Sequence, residues 1–175
     1  MHATIAKLVF AGPVGAGKSA AIRALADAAP VSTEMPLSDG PMGEKTTTTV
    51  ALDFATLTLD DGMPVFLYGV PGQEHFAFMR SIVLEGAIGV IVLLDARAAD
   101  VAGHCRHWLG AIRDINAGIG IVVGITQTDR AEHFDLSQVR EAIREAGAPV
   151  PVFIVDARER EQVGQLVRAL LVATG

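Results

Sequence analysis

With 175 residues, 50% of them hydrophobic and 19% charged, the chain has ample apolar surface for one continuous core and too little charge for disorder. Its formal net charge of −6, with arginines scattered along the chain, excludes a basic face for a nucleic-acid backbone. The single cysteine, Cys105, excludes an internal disulfide and suits a reducing, cytoplasmic setting.

The first predicted element is the strand-like run Thr4-Ile5-Ala6-Lys7-Leu8-Val9-Phe10. It leads directly into Gly12-Pro13-Val14-Gly15-Ala16-Gly17-Lys18-Ser19, which matches G-x-x-x-x-G-K-[ST]. The spacing has a mechanism. Glycines let the backbone curl so that N–H groups face phosphate oxygens, and the helix that follows adds its positive end. Lys18 supplies a cation for the outer phosphates, and the Ser19 hydroxyl is an oxygen donor for Mg²⁺. The stretch from Gly12 to Ser19, extended to Ala20, is therefore the expected phosphate contact. An Ala-rich helix is predicted over 18–29, stopped by Pro30.

The segment 30–46, rich in Pro, Gly, Ser and Thr, reads as a long loop, and loops of that length in compact domains usually serve a function. A strand over 50–59 turns at Asp60-Asp61-Gly62 into a second over 64–68, so the two are antiparallel. Three fully apolar runs follow, at 87–94, 119–125 and 150–155, each read as a strand buried on both faces. Between them lie amphipathic helices with stripes at Val101, Cys105, Trp108, Leu109, Ile112 and Ile115, then Leu136, Val139, Ile143 and Ala146, then Val163, Leu166, Val167, Leu170 and Leu171. Asp135 is the N-cap candidate of the middle helix, with Gln138 three residues on, and Gly147 closes it. The expected architecture is α/β: one P-loop NTPase domain over 1–175, with a six-stranded, mostly parallel sheet, one antiparallel strand near an edge and about five helices. No apolar run approaches the roughly 20 residues that cross a bilayer. Neither Met1-His2-Ala3-Thr4 nor Val172-Ala173-Thr174-Gly175 carries a signal or lipidation motif, so any membrane contact is expected through a partner.

The phosphate loop, the threonine-ended loop and the hairpin leading to Tyr68-Gly69-Val70-Pro71-Gly72-Gln73-Glu74 resemble the Ras-like small GTPases over essentially the whole chain. The resemblance implies GTP and GDP as ligands with Mg²⁺. It implies Thr49 as a second metal ligand beside Ser19, with Thr47 and Thr48 as neighbouring alternatives. It assigns Gly72 to the γ-phosphate, Gln73 to the attacking water and Lys18 to the phosphates. Gly69 stands where the family has an aspartate that holds metal-bound water, which leaves the means of holding Mg²⁺ open. The base-recognition stretch reads Thr126-Gln127-Thr128-Asp129 in place of Asn-Lys-x-Asp: Asp129 is kept, and a carboxylate pairs with the two donors of guanine. Gln127 stands where the family's lysine covers the base. Asp156-Ala157-Arg158 stands for Ser-Ala-Lys, with Ala157 offering its N–H to guanine O6 and the Arg158 stem lying over the base.

Val14, where many relatives have glycine, crowds the glutamine, so slow unassisted hydrolysis is expected. Asp95 reads as the end of its strand and not as a metal-binding carboxylate. The group His104, Cys105 and His107 reads as packing. Phe76 and Phe78 are open between core packing and an exposed partner surface. The motif set looks most like prokaryotic small GTPases related to the gliding-polarity protein. That likeness implies a switch in bacterial signalling or polarity, an effector, an activating protein and a Roadblock-domain partner. A P-loop ATPase or phosphotransferase, and a nucleotide-bound scaffold that never hydrolyses, are the competing readings.

Overall fold

A computed structural model describes residues 5–39, 46–147 and 149–174, the side chains of 31–39 and 46–51 excepted. The elements in chain order are β1 (Ala6–Ala11), α1 (Lys18–Leu25), β2 (Val31–Asp39), β3 (Thr46–Thr58), β4 (Pro64–Gly69), α2 (Met79–Leu84), β5 (Gly89–Asp95), α3 (Val101–Ile115), β6 (Gly120–Thr126), α4 (Leu136–Glu145), β7 (Val152–Ile154) and α5 (Arg160–Thr174). The strands form one sheet in the order β2-β3-β4-β1-β5-β6-β7. β4, β1, β5, β6 and β7 are mutually parallel, and β3 runs against both of its neighbours. This is the expected mostly parallel sheet with its one antiparallel strand and five helices.

One strand lies beyond the expected six. β2 falls in the stretch read as a loop, where Val31, Thr33, Met35 and Leu37 alternate with Ser32, Glu34, Pro36 and Ser38. That period of two suits a strand, and Pro36 is tolerated because β2 lies at the edge of the sheet. α1 also ends earlier than expected. Ala26 turns to extended backbone, the Asp27 N–H donates to the carbonyl of Thr56 at 3.0 Å, and the Thr58 hydroxyl donates to the Asp27 carboxylate at 2.7 Å. Hydrogen bonds to β3, and not Pro30, stop the helix.

The central strands are apolar throughout because helices cover both faces. One face packs on α3 and α4 through Trp108, Leu109, Ile112, Val139 and Ala142. The other packs on α1 and α5 through Ile22, Leu25, Val163, Leu166 and Leu170. Each fully buried aliphatic or aromatic side chain contributes about 1.5–3 kcal/mol by leaving water, so the stripes read from the sequence are what seat the helices. α3 is capped by Asp100, which accepts the Gly103 N–H at 2.8 Å, and α4 by Asp135, which accepts the Ser137 N–H at 2.9 Å. Gly147 closes α4 with a φ of 82°. Cys105 is fully buried in the α3 core, where burial pushes its thiol up to about 11.

Candidate functional site

All five parallel strands deliver their following loops to one edge of the sheet. β1 lies between β4 and β5, so the connections leave it in opposite directions and open a crevice there. The loop after β1 fills that crevice. Gly17 takes φ 100° as the residue before α1, no side chain caps that helix, and its first turn holds no acid, so its N–H groups are left for an anion. Lys18 folds back over the loop and donates to the carbonyls of Gly12 at 2.6 Å and Pro13 at 2.8 Å. Burial lowers its ammonium to about 8, with the Asp53 carboxylate acting in the opposite sense.

The segment after β4 lies across this loop. The Val70 N–H donates to the Phe10 carbonyl at 2.8 Å, and a Cβ on Gly72 would stand only 2.6 Å from the Val14 nitrogen and 2.9 Å from the Gly12 oxygen. Only glycine permits that approach. Gln73 then begins a short 3₁₀ turn, Glu74–Phe76, and lines the same cleft as Val14, Lys18 and Ser19, a space of about 340 Å³. Val14 is 64% exposed and borders it.

A carboxylate stands beside Gly69 on the neighbouring strand. β3 pairs with β4 through Phe54 and Tyr68, so the next residues, Asp53 and Gly69, face each other. A Cβ on Gly69 would lie 3.4 Å from the Asp53 Cβ and 3.7 Å from its Oδ2. The Ser19 hydroxyl donates to that same Oδ2. Ser19 and Asp53 thus present adjacent hard oxygen donors, the chemistry Mg²⁺ requires. Sequence reasoning missed Asp53; counting cross-strand partners outward from Asp60-Asp61-Gly62 would have found an acid opposite the anomalous glycine. Thr49 lies in β3 opposite Pro36, four residues before Asp53, and its side chain, like those of Thr47 and Thr48, falls outside the described residues.

A second cleft, of about 520 Å³, adjoins the first at Gly17 and Ala20 and is lined by Ala16, Thr126, Gln127, Asp129, Ala157 and Gln162 among others. Two substitutions that looked like losses keep loop-to-loop ties. The buried Thr126 hydroxyl lies 2.8 Å from the Ala16 carbonyl and 3.2 Å from that of Leu94, and Gln127 Nε2 donates to the Gly15 carbonyl at 3.2 Å. Gln127 holds φ 60°, the one positive φ outside glycine among the described residues, a strained geometry that contacts such as this tie hold in place. Asp129 stands exposed in the turn Thr128–Arg130 at the mouth of the cleft.

On the opposite wall the Asp156 N–H donates to Gln162 Oε1 at 2.7 Å. The Asp156 carboxylate accepts the Arg158 N–H at 2.9 Å and its guanidinium at 2.8 and 3.0 Å; these bonds hold it down at about 2. Arg158 is therefore tied to Asp156 at the rim. Ala157 is buried, and its Cβ lies 2.9 Å from where a Gly17 Cβ would be.

Asp95 ends β5 and is occupied by Arg97, whose guanidinium donates at 2.8 Å. Phe76 is partly buried against the core, whereas Phe78 is 54% exposed. No helix among the described residues is long and apolar enough to cross a membrane.

A phosphate loop at the switch point of a doubly wound sheet, joined to a second cleft, defines a nucleotide-binding protein of the P-loop NTPase fold. The chain belongs to the family described as conserved hypothetical ATP binding protein, whose model matches residues 28–171. That match begins after Ser19, so the family and the phosphate loop are independent observations. Among curated proteins, the chain is 28% identical to Ras-related protein Rab-1D of Dictyostelium discoideum, over 63% of this chain and 50% of that protein. It is 26% identical to Ras-related protein RAB1BV of Beta vulgaris, over 59% of this chain and 44% of that one. An uncharacterized protein of Methanocaldococcus jannaschii is 42% identical over 27% of this chain and 30% of its own length. The chain spans half or less of the length of these relatives.

Proposed function

We propose that the protein is a switch that binds GTP with Mg²⁺, hydrolyses it to GDP and changes the conformation of 72–85 as it does so. The observation that carries this reading is the pair of joined clefts with Asp129 at one end and the Ser19–Asp53 pair at the other. A carboxylate at Asp129 accepts from the N1 and N2 donors of guanine and repels the acceptor N1 of adenine. Ala157 and Gln162 complete the base side; Gly12, Pro13, Val14, Gly15, Ala16, Gly17, Lys18 and Ala20 wrap the phosphates. Ser19 and Asp53, with Thr49 as a further ligand, would hold the Mg²⁺, which would neutralise charge on the outer phosphates. Gln73 orients a water that attacks the γ-phosphorus, the bond to the β–γ bridging oxygen breaks, and GDP and phosphate leave. Val14 on the cleft keeps the unassisted rate low, so an activating protein belongs to the cycle. By likeness to the gliding-polarity branch, the effector side includes a Roadblock-domain protein in bacterial signalling or polarity control.

The family description favours a second reading, an ATPase on the same loop. Releasing and identifying the nucleotide retained through purification, then competing GDP against ADP, separates the two. Tight ADP binding without GDP binding overturns the switch. A Gln73→Ala variant that turns over GTP at the wild-type rate overturns the hydrolytic role of Gln73, and a wild-type protein that binds GTP without turning it over is the scaffold.

A further inference from the structure

Arg80, on α2, is the buried charged residue among those described, its side chain only 6% exposed. Its guanidinium carbon sits 4.2 Å from the ring centroid of Trp108 on α3, and its Nη2 donates to Glu74 Oε1 at 2.9 Å. His107, the residue before Trp108, meets the same Glu74 oxygen at 2.9 Å through Nε2; a carboxylate only accepts, so Nε2 carries the hydrogen. Arg80 Nε is buried with no hydrogen-bond partner among the described residues, so the indole face is what compensates that part of the cation. Burying an arginine here costs free energy that packing alone does not require. What it secures is the turn Glu74–Phe76, whose first hydrogen bond runs from the Phe76 N–H to the Gln73 carbonyl at 3.0 Å. Gln73 is thereby the first residue of an anchored turn, and it lines the phosphate cleft.

We infer that Arg80 is a positioning residue: clamped between the Trp108 indole and the Glu74 carboxylate, it fixes the turn that holds Gln73 against the phosphate cleft. The assignment rests on the GTP-switch reading. Nothing on this clamp touches the base or the phosphates directly, so its loss acts on turnover and leaves ground-state binding intact. A displacement of Gln73 by about an ångström is worth up to about 10²-fold in rate.

The test uses Arg80→Lys, Arg80→Met and Glu74→Gln, the last at an exposed side chain that the fold tolerates if the Arg80 variants unfold. Single-turnover GTP hydrolysis, GDP and GTP affinity, and Trp108 fluorescence are read on each; Trp108 is the only tryptophan of the chain, so its emission reports the clamp directly. The expected result is hydrolysis lowered about tenfold or more, affinities within about twofold, and a shifted Trp108 emission. Wild-type turnover in a folded variant with shifted emission overturns the assignment, and so does a parallel loss of turnover and affinity. A wild-type chain that binds no GTP overturns the switch reading and this assignment with it.

Discussion

Replacing Asp53 by asparagine removes a charge while keeping shape, and the cost is set by the two groups that carboxylate serves. Asp53 accepts from the Ser19 hydroxyl and stands where a Gly69 side chain would otherwise reach. Removing a carboxylate that orients a metal site costs 10- to 100-fold in metal affinity, about 1.4–2.7 kcal/mol. The Asp53→Asn variant is therefore expected to need about that much more Mg²⁺ to slow the release of a fluorescent GDP analogue. The Lys18 ammonium also loses the charge that opposes its burial, so its titration moves below the wild-type value of about 8. Gly69→Asp alone restores the family pattern yet sets two carboxylates about 4 Å apart, a repulsion of about 4 kcal/mol at an effective dielectric near 20. It is expected to weaken Mg²⁺ dependence in the wild-type background and to restore it in Asp53→Asn, a strongly non-additive cycle. Equal Mg²⁺ dependence of GDP release in wild type and Asp53→Asn would refute the assignment of the metal carboxylate to β3.

The phosphate loop itself supplies two more tests. Lys18 has its ordinary value of 10.5 in the unfolded chain and about 8 in the folded one, so the unfolded state holds the extra proton between those limits. The burial penalty is fully present below pH 8, and stability rises with pH across that window as the penalty is relieved. Binding polyphosphate restores the ammonium: GDP affinity should be level below pH 8 and fall by up to about tenfold per unit above it, with proton uptake seen by calorimetry in buffers of different ionisation enthalpy. Affinity that stays level to about pH 10 is incompatible with this. Gly72→Ala sets a methyl group 2.6 Å from the Val14 nitrogen, a backbone contact that yields only by moving the segment. Hydrolysis is expected to drop by about 10²-fold with GDP affinity nearly unchanged, and wild-type turnover in this variant would contradict the close approach.

Much of the fold was legible because its signals are local. Six strand-like runs, three of them apolar throughout, and the stripes of α3, α4 and α5 name their own elements, since a strand buried on both faces or a helix buried on one needs that pattern wherever it lies in the chain. β2 was missed for a local reason too. Pro36 and the surrounding serines carry the composition of a loop, and the weaker alternation of 31–38 becomes a strand only when β3 offers it a ladder. The premature end of α1 has the same origin, because Thr56 and Thr58 compete for Asp27 from across the sheet.

The order of residues was enough to show that a phosphate loop follows the first strand, that an acid, Asp129, stands where the Ras-like family has its base-recognition aspartate, and that Val14, Gly69, Thr126-Gln127 and Asp156-Ala157-Arg158 depart from the Ras-like pattern. Whether those departures are losses depends on which strands and loops become neighbours. Gly69 looks like a missing carboxylate until the hairpin register puts Asp53 beside it, and Thr126 and Gln127 look like broken motifs until they reach the carbonyls of Ala16 and Gly15. A motif records spacing along one stretch of backbone, whereas a carboxylate acts through its distance to the charge it serves. Two strands that lie side by side can exchange that duty without any trace in the spacing of either.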